Sequence, residues 1–256
     1  RQTANIWYTN KMAKFSFTEE ISHLLSQYEA LGREEQELLQ LISIIFEPTS
    51  AAAINESFQE YTGKHDEQGV IGEARPLSVL LRKLQEQGLV TWRCQCNPLI
   101  VEIISRKALS SGNFAPMARI VTKHLPAGGQ VYEGLGKKSP RHLREMRIGL
   151  YLGDFDHFNQ HLLHYYDCPE TSEQHSPLVK ITNNPFESMW FSTLPPHLQL
   201  HSLHEISRSS LLKLESFARP LAYLSDKNTL KLIPRPGWPS VYYLLISNQL
   251  LRADIA

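Results

Sequence analysis

One stretch of the chain, from Arg33 to Lys107, constrains the fold more than the rest, because three helical patterns precede two short apolar runs there. In the first pattern the apolar residues recur at the spacing i, i+3, i+4 and i+7. They are Leu38, Leu41, Ile42 and Ile45. The second pattern, AAAINESFQEY, follows a capping residue at Thr49 or Ser50 and ends at Gly63. Both patterns predict amphipathic helices.

The third helical pattern begins near Pro76 and ends at Gly88. Its apolar residues share one face, and they are Leu77, Leu80, Leu81 and Leu84. Residues 89–92 then predict a strand, residues 95–98 a turn and residues 99–104 a returning strand. The predicted fold of this stretch is therefore three helices closed by a β-hairpin.

The string LSVLLRKLQEQGLVTW (residues 77–92) resembles the recognition helix and first wing strand of winged helix-turn-helix proteins. The resemblance spans residues 33–107 and implies a winged-helix fold without implying a single activity. If such a module reads DNA, its third helix enters the major groove. The polar residues expected nearest the duplex are Arg75, Ser78, Arg82 and Lys83.

The charge of residues 33–111 weakens a DNA-reading interpretation of this module. Eight basic residues stand against eleven acidic ones, a net charge of −3. Neutralisation of phosphates supplies most of the affinity of DNA-binding modules, which usually present a positive surface. Direct DNA reading and a structural or protein-docking role both remain open for this stretch.

The stretch from Met117 to Arg147 has the opposite charge, with seven basic residues against two acidic ones, a net of +5. Its glycines and lysines do not have the spacing of a phosphate-binding loop, which excludes a nucleotide site of that type. The stretch predicts either a solvated helix face or a patch that contacts phosphates. The candidate contact residues are Arg119, Lys123, Lys137, Lys138, Arg141 and Arg144.

The string RHLREMRIGLYLGDFDHFNQHLLHYY (residues 141–166) resembles one tetratricopeptide-like helix hairpin. Further helices are predicted at residues 185–193, 196–214, 215–224 and 239–253. A single such hairpin predicts irregular α-hairpins rather than a regular solenoid. The predicted fold is mainly α: a preface helix in residues 1–32, a winged-helix domain in residues 33–111 and an irregular α-helical hairpin domain in residues 112–256.

Histidines cluster in the second half of the chain, where HxxxHxxH occurs twice. On a helix this spacing aligns three imidazoles along one side, as a metal site requires. The metal candidates are His157, His161 and His164. Because apolar residues alternate with them and no HExxH motif is present, solvated histidines are favoured over a metal site or a pH-sensitive interface. No cofactor is predicted.

Composition limits the remaining possibilities. The formal net charge is zero and no apolar run approaches the ~20 residues of a membrane span, so no membrane partner is expected. Three cysteines form a sparse, odd set, which predicts a reducing, cytoplasmic compartment. No glycine-x-serine-x-glycine elbow, dinucleotide-binding turn or CxxC motif is present, so the chain is predicted to be non-catalytic.

The chain begins with Arg1 and not Met, which suggests a piece of a larger intracellular protein. The predicted function is a nucleic-acid-binding or partner-docking regulatory region, with DNA favoured over RNA and with a protein or other domains of the same polypeptide as alternative partners. The layout is similar to accessory N-terminal regions of bacterial Swi/Snf-type helicase-like ATPases, which implies a DNA-translocating motor outside this chain. The alternatives are a transcriptional regulator with a winged helix and helical repeats, and a metal-dependent hydrolase that uses the histidine-rich helices.

Overall fold

The computed structural model describes residues 19–63, 76–128, 138–169, 176–213, 218–225 and 246. These residues are mainly helical, which confirms the predicted class. The chain divides into two compact units, Arg1–Leu152 (unit 1) and Gly153–Ala256 (unit 2). The predicted boundaries at 32/33 and 111/112 do not coincide with this division, because the helices on either side of both boundaries pack together in unit 1.

Seven helices of unit 1 are described. They are α1 (19–29), α2 (Arg33–Ile45), α3 (Ala51–Thr62), α4 (Leu77–Glu86), α5 (Val101–Ser110), α6 (Phe114–His124) and α7 (Lys138–Leu152). Helix α2 is central, because α3, α4, α5, α6 and α7 all contact it. Its predicted apolar stripe is completely buried, and so are Leu39 and Ile44 on its other sides. This central helix is the core of the unit.

The predicted capping residues lie at both ends of α3. The hydroxyl of Ser50 accepts a hydrogen bond from the backbone N–H of Ala53 at 3.2 Å, which places the cap at Ser50 rather than Thr49. Gly63 ends α3 in the left-handed conformation, with φ +66°. Helix α6 begins at Phe114.

The predicted β-hairpin is reduced to one bridge, between Val90 and Cys96. The prediction of a returning strand at residues 99–104 is wrong, because α5 begins at Val101. The carbonyl of Asn97 accepts hydrogen bonds from the N–H groups of Ile100 and Val101, and this interaction starts a helical turn. The apolar run is buried along a helical face that α2 and α6 contact, so tertiary packing overrides its strand-like composition.

The described helices of unit 2 are α8 (Phe155–Tyr166), α9 (Pro177–Thr182), α10 (Ser188–Phe191), α11 (Pro196–Lys213) and α12 (Ala218–Ser225). Helices α7 and α8 occupy the positions predicted for the hairpin helices, and Asp154 caps α8 through the N–H of His157. Helix α9 is not predicted from the sequence. The helix predicted at residues 185–193 is shorter in the structure, where it is α10. The helix predicted at 239–253 lies outside the described residues apart from Ile246.

The core of unit 2 contains an aromatic cluster of Phe186, Phe191 and Tyr223, whose ring centroids lie 4.8 to 5.7 Å apart. Gln199 of α11 accepts a hydrogen bond from the hydroxyl of Tyr223 at 2.7 Å, which joins α11 to α12. None of the helices in the described ranges combines the length and the apolar character that a membrane crossing requires.

Candidate functional site

Helix α4 turns its apolar face inward and leaves a mixed face in solvent. The buried residues are Leu80, Leu81 and Leu84. Ser78, Val79 and Arg82 are exposed, and Val79 is 53% exposed despite its apolar side chain. The guanidinium of Arg82 pairs with Glu86 one turn further along the same helix, at 3.0 Å. The exposed face of α4 therefore combines one apolar residue with a charge pair.

Lys83, predicted as a DNA contact, instead forms an ion pair within unit 1. Its ammonium lies 2.6 Å from a carboxylate oxygen of Glu35 on α2, and the side chain of Glu35 is only 5% exposed. The same carboxylate accepts a hydrogen bond from the backbone N–H of Gly32 and so caps α2. Lys83 thus ties α4 to the start of the central helix.

A turn follows α4 and projects Trp92 into solvent. The indole is 79% exposed, and the guanidinium of Arg93 lies 4.6 Å from its ring centroid, a cation–π geometry. Thr91 donates its backbone N–H to the carbonyl of Gln95 at 2.7 Å. The side-chain amide of Gln95 donates in turn to the carbonyl of Phe46 at the end of α2, at 2.8 Å. The turn is therefore anchored to the core while its aromatic tip remains exposed.

Arg144 of the predicted phosphate-contact patch is completely buried. Its guanidinium donates to Glu47 at 2.6 Å, to Glu145 at 2.7 and 2.9 Å, and to the carbonyl of Leu125. Arg141 lies 3.4 Å from the other oxygen of Glu47. Burial raises the pKa of Glu47, and the two arginines oppose that rise. Arg144 is therefore part of the interior and does not face a surface where phosphates bind.

A second buried arginine, Arg147, completes this polar interior. It donates to both carboxylate oxygens of Glu102 at 2.7 and 3.1 Å, to the carbonyl of Ser43 at 3.1 Å and to the hydroxyl of Ser105 at 2.9 Å. The hydroxyl of Tyr151 donates to Glu102 at 2.6 Å. Burial, followed by the charge of Glu102, raises the pKa of Tyr151. The arginines of α7 therefore dock this helix against α2 and α5.

Of the other predicted contacts, Lys123 is exposed but pairs with Glu60 of α3 at 2.8 Å. The imidazole of His124 lies 2.5 Å from the same carboxylate. Hydrogen bonds from Lys123 and then from His124 lower the pKa of Glu60. Arg119 and Lys138 are exposed. Arg75 and Lys137 lie outside the described residues.

The positive charge of residues 117–147 is therefore largely matched by carboxylates within unit 1. The sequence count of +5 excludes Glu47, Glu60 and Glu102, which lie earlier in the chain but contact these cations in the fold. In the part of the chain that the structure describes, Arg119 and Lys138 are the cations of the predicted set that are exposed and have no carboxylate partner. Among the described residues, these cations therefore do not form the broad positive patch that the sequence suggested.

The three candidate metal ligands lie in a row along α8. The ring centroids of His157 and His161 are 4.6 Å apart in an edge-to-face arrangement, and those of His161 and His164 are 6.2 Å apart. His157 and His161 are half-buried, whereas His164 is exposed. The second motif, on α11, has all three of its histidines exposed, and His204 lies 3.6 Å from Glu205.

No protein-family model, curated protein or solved structure matches this chain. The function therefore has to be inferred from the geometry of the described residues.

Sequence reasoning did not identify Trp92 and Arg93 as surface residues, because it placed Trp92 at the end of a predicted strand and assigned no role to Arg93. A tryptophan beside an arginine in a short turn is a detectable signal, since both residue types are enriched at binding surfaces. Arg147 was counted as a surface charge. Its signal is its place in an otherwise apolar helix segment, MRIGLYL (residues 146–152), where a helix is expected to be buried on most sides.

Proposed function

We propose that the chain is a non-catalytic docking region and that unit 1 binds a protein partner through a winged-helix-type surface. We define this docking surface as Ser78, Val79 and Arg82 of α4 together with Trp92 and Arg93. The order of α2, α3 and α4, followed by the Val90–Cys96 bridge, supports a winged-helix-type module whose wing is shortened to a turn.

The exposure of Trp92 is the observation that carries the proposal. An indole that is 79% exposed leaves a large apolar surface in water, and burying that surface against a partner would be favourable. Tryptophan and arginine are the residue types that most often dominate the free energy of protein–protein binding. Val79, 53% exposed, adds a second exposed apolar side chain, on the outer face of α4.

Electrostatics favour a protein over a nucleic acid as the partner. Arg82 is paired with Glu86, and Lys83 is held by the buried carboxylate of Glu35. Nucleic-acid affinity requires cations that are available to replace counterions at phosphates. On the docking surface Arg93 is the cation that has no carboxylate partner among the described residues.

As to context, we propose a regulatory region of a larger intracellular protein. The similarity in layout to accessory regions of bacterial Swi/Snf-type helicase-like ATPases supports this placement, and a transcriptional regulator is the alternative. In either case the docking surface would recruit a partner or another domain of the same polypeptide, and the chemistry would reside elsewhere.

The test introduces a photo-crosslinking amino acid at position 79 of the intact protein, which leaves Trp92 in place. Irradiation in cells is expected to give a discrete protein adduct, and Trp92→Ala is expected to reduce its yield strongly, since loss of a dominant interface residue weakens binding by about thirtyfold or more. The matched control places the same crosslinker at Met189 of unit 2, which is also 79% exposed. That position is expected to give no adduct that depends on Trp92.

A nucleic-acid partner is the second candidate, because Arg93 beside an exposed indole is also a suitable platform for an unpaired base. The same variants distinguish it by fluorescence anisotropy with labelled duplex and single-stranded DNA at low and high salt. If Trp92-dependent, salt-sensitive DNA binding appears and the position-79 adduct contains nucleic acid, the protein-docking proposal is refuted.

A further inference from the structure

We propose that α8 binds a divalent transition-metal ion through the imidazoles of His157 and His161, with His164 as a third imidazole at the exposed end of the row. The site belongs to unit 2 and is independent of the docking function proposed for unit 1. The expected ion is Zn²⁺, Ni²⁺ or Cu²⁺, because imidazole nitrogen is a preferred ligand for these ions and not for Mg²⁺ or Ca²⁺.

The geometry of the pair supports this assignment. His157 and His161 are separated by four residues on one helix and therefore project from the same face. Their candidate ligand nitrogens lie within 4.8 Å of each other. A tetrahedral metal with bonds of ~2.0–2.1 Å requires the two nitrogens to be about 3.3 Å apart. Rotation about the last side-chain torsion, which is broad for histidine, can close this gap without moving the helix.

The helix that presents the pair is well defined at its start. Asp154 caps α8 by accepting the backbone N–H of His157 at 3.0 Å, so the first ligand stands in an ordered turn. Phe158, between the two histidines in sequence, is completely buried and fixes the rotation of the helix. The two imidazoles are therefore positioned before a metal binds, which reduces the entropy cost of chelation.

Helix α11 provides an internal comparison, because His197, His201 and His204 have the same spacing. There the side chains are exposed, and His197 and His201 make no ring contact among the described residues. The half-burial and edge-to-face contact of His157 and His161 distinguish the α8 pair from this set. The two histidine motifs have identical spacing, so the burial and contact of the rings, and not the spacing, single out α8 as the proposed metal site.

The test is a zinc titration of the untagged full chain, in which binding is measured by calorimetry and by competition with a colorimetric chelator. The expected stoichiometry is one ion per chain. Replacing His161 with Gln is expected to weaken binding by about a hundredfold, because the remaining ligand loses the advantage of chelation. His157→Gln is expected to have a similar effect. Co²⁺ should give visible absorption bands that both variants lose.

The matched control is His201→Gln on α11, which is expected to leave zinc affinity unchanged. Circular dichroism of each variant checks that the helices are retained. If zinc binds wild type and His161→Gln with equal affinity, or if His201→Gln weakens binding as much as His161→Gln does, the site assignment is overturned. Saturation by Mg²⁺ with the same affinity as Zn²⁺ would also overturn it.

Discussion

Replacing Arg147 with methionine would remove the cation from a deeply buried ion pair of unit 1. The side chains of Arg147 and Glu102 are each only 1% exposed. Methionine preserves much of the aliphatic volume, so the change is mainly the loss of charge and hydrogen bonds. The guanidinium also lies 4.3 Å from the ring centroid of Phe46, a contact that methionine can partly replace.

The magnitude follows from the groups that lose their partner. Glu102 loses two hydrogen bonds from the guanidinium and retains the one from Tyr151, while the carbonyl of Ser43 and the hydroxyl of Ser105 each lose a donor. Removing one member of a buried pair typically costs about 3–5 kcal/mol, because an uncompensated charge remains in the interior. We expect Arg147→Met to lower the free energy of unfolding by that amount.

A double substitution separates the charge from the packing. Arg147→Met combined with Glu102→Gln removes both charges and keeps an acceptor for Tyr151, so we expect it to recover about half of the loss. The control is Arg82→Met on the exposed face of α4, with an expected change within about 0.5 kcal/mol.

Urea unfolding monitored by circular dichroism measures all of these variants. The reasoning is refuted if Arg147→Met and Arg82→Met destabilise the protein equally, or if the double variant is less stable than Arg147→Met.

Two further predictions concern acid stability and thiol reactivity. Glu60→Gln is expected to destabilise the protein near neutral pH. Because the folded-state pKa of Glu60 is lowered, the stability that its charge contributes is present above the unfolded pKa near 4.5 and is lost as pH falls through the folded pKa, so the stabilities of variant and wild type should converge in acid. Glu86→Gln, which breaks an ion pair within α4, should show a smaller difference in stability from wild type. Alkylation followed by peptide mass spectrometry is expected to modify Cys94 well before Cys96, since Cys96 is buried and burial raises its pKa to about 12; equal rates would contradict the described packing.

The sequence predicted the local features of the helices well, because these depend on residues near one another. The apolar spacing of α2 identified its buried stripe, and Ser50 and Gly63 identified the ends of α3. Each of these signals arises within a few residues of chain, so no knowledge of packing is required.

The sequence-based prediction of a returning strand at residues 99–104 was wrong because the local pattern there is ambiguous. Residues 99–104 are rich in β-branched residues, and such a run is compatible with either a strand or a buried helix. Burial of Val101, Ile104 and Ala108 against neighbouring helices decided in favour of α5. The metal candidates were found from spacing, but the contact between the rings of His157 and His161 required the structure.

The sequence by itself determined that the chain is mainly helical and where many of its helices begin and end, since capping and periodicity act over one or two turns. Only the tertiary structure decided which charges face water. Arg147 and Glu102 are 45 residues apart in sequence, yet they satisfy each other in the core. A linear charge count cannot detect such pairing, because electrostatic interaction depends on distance in space and on burial rather than on position along the chain.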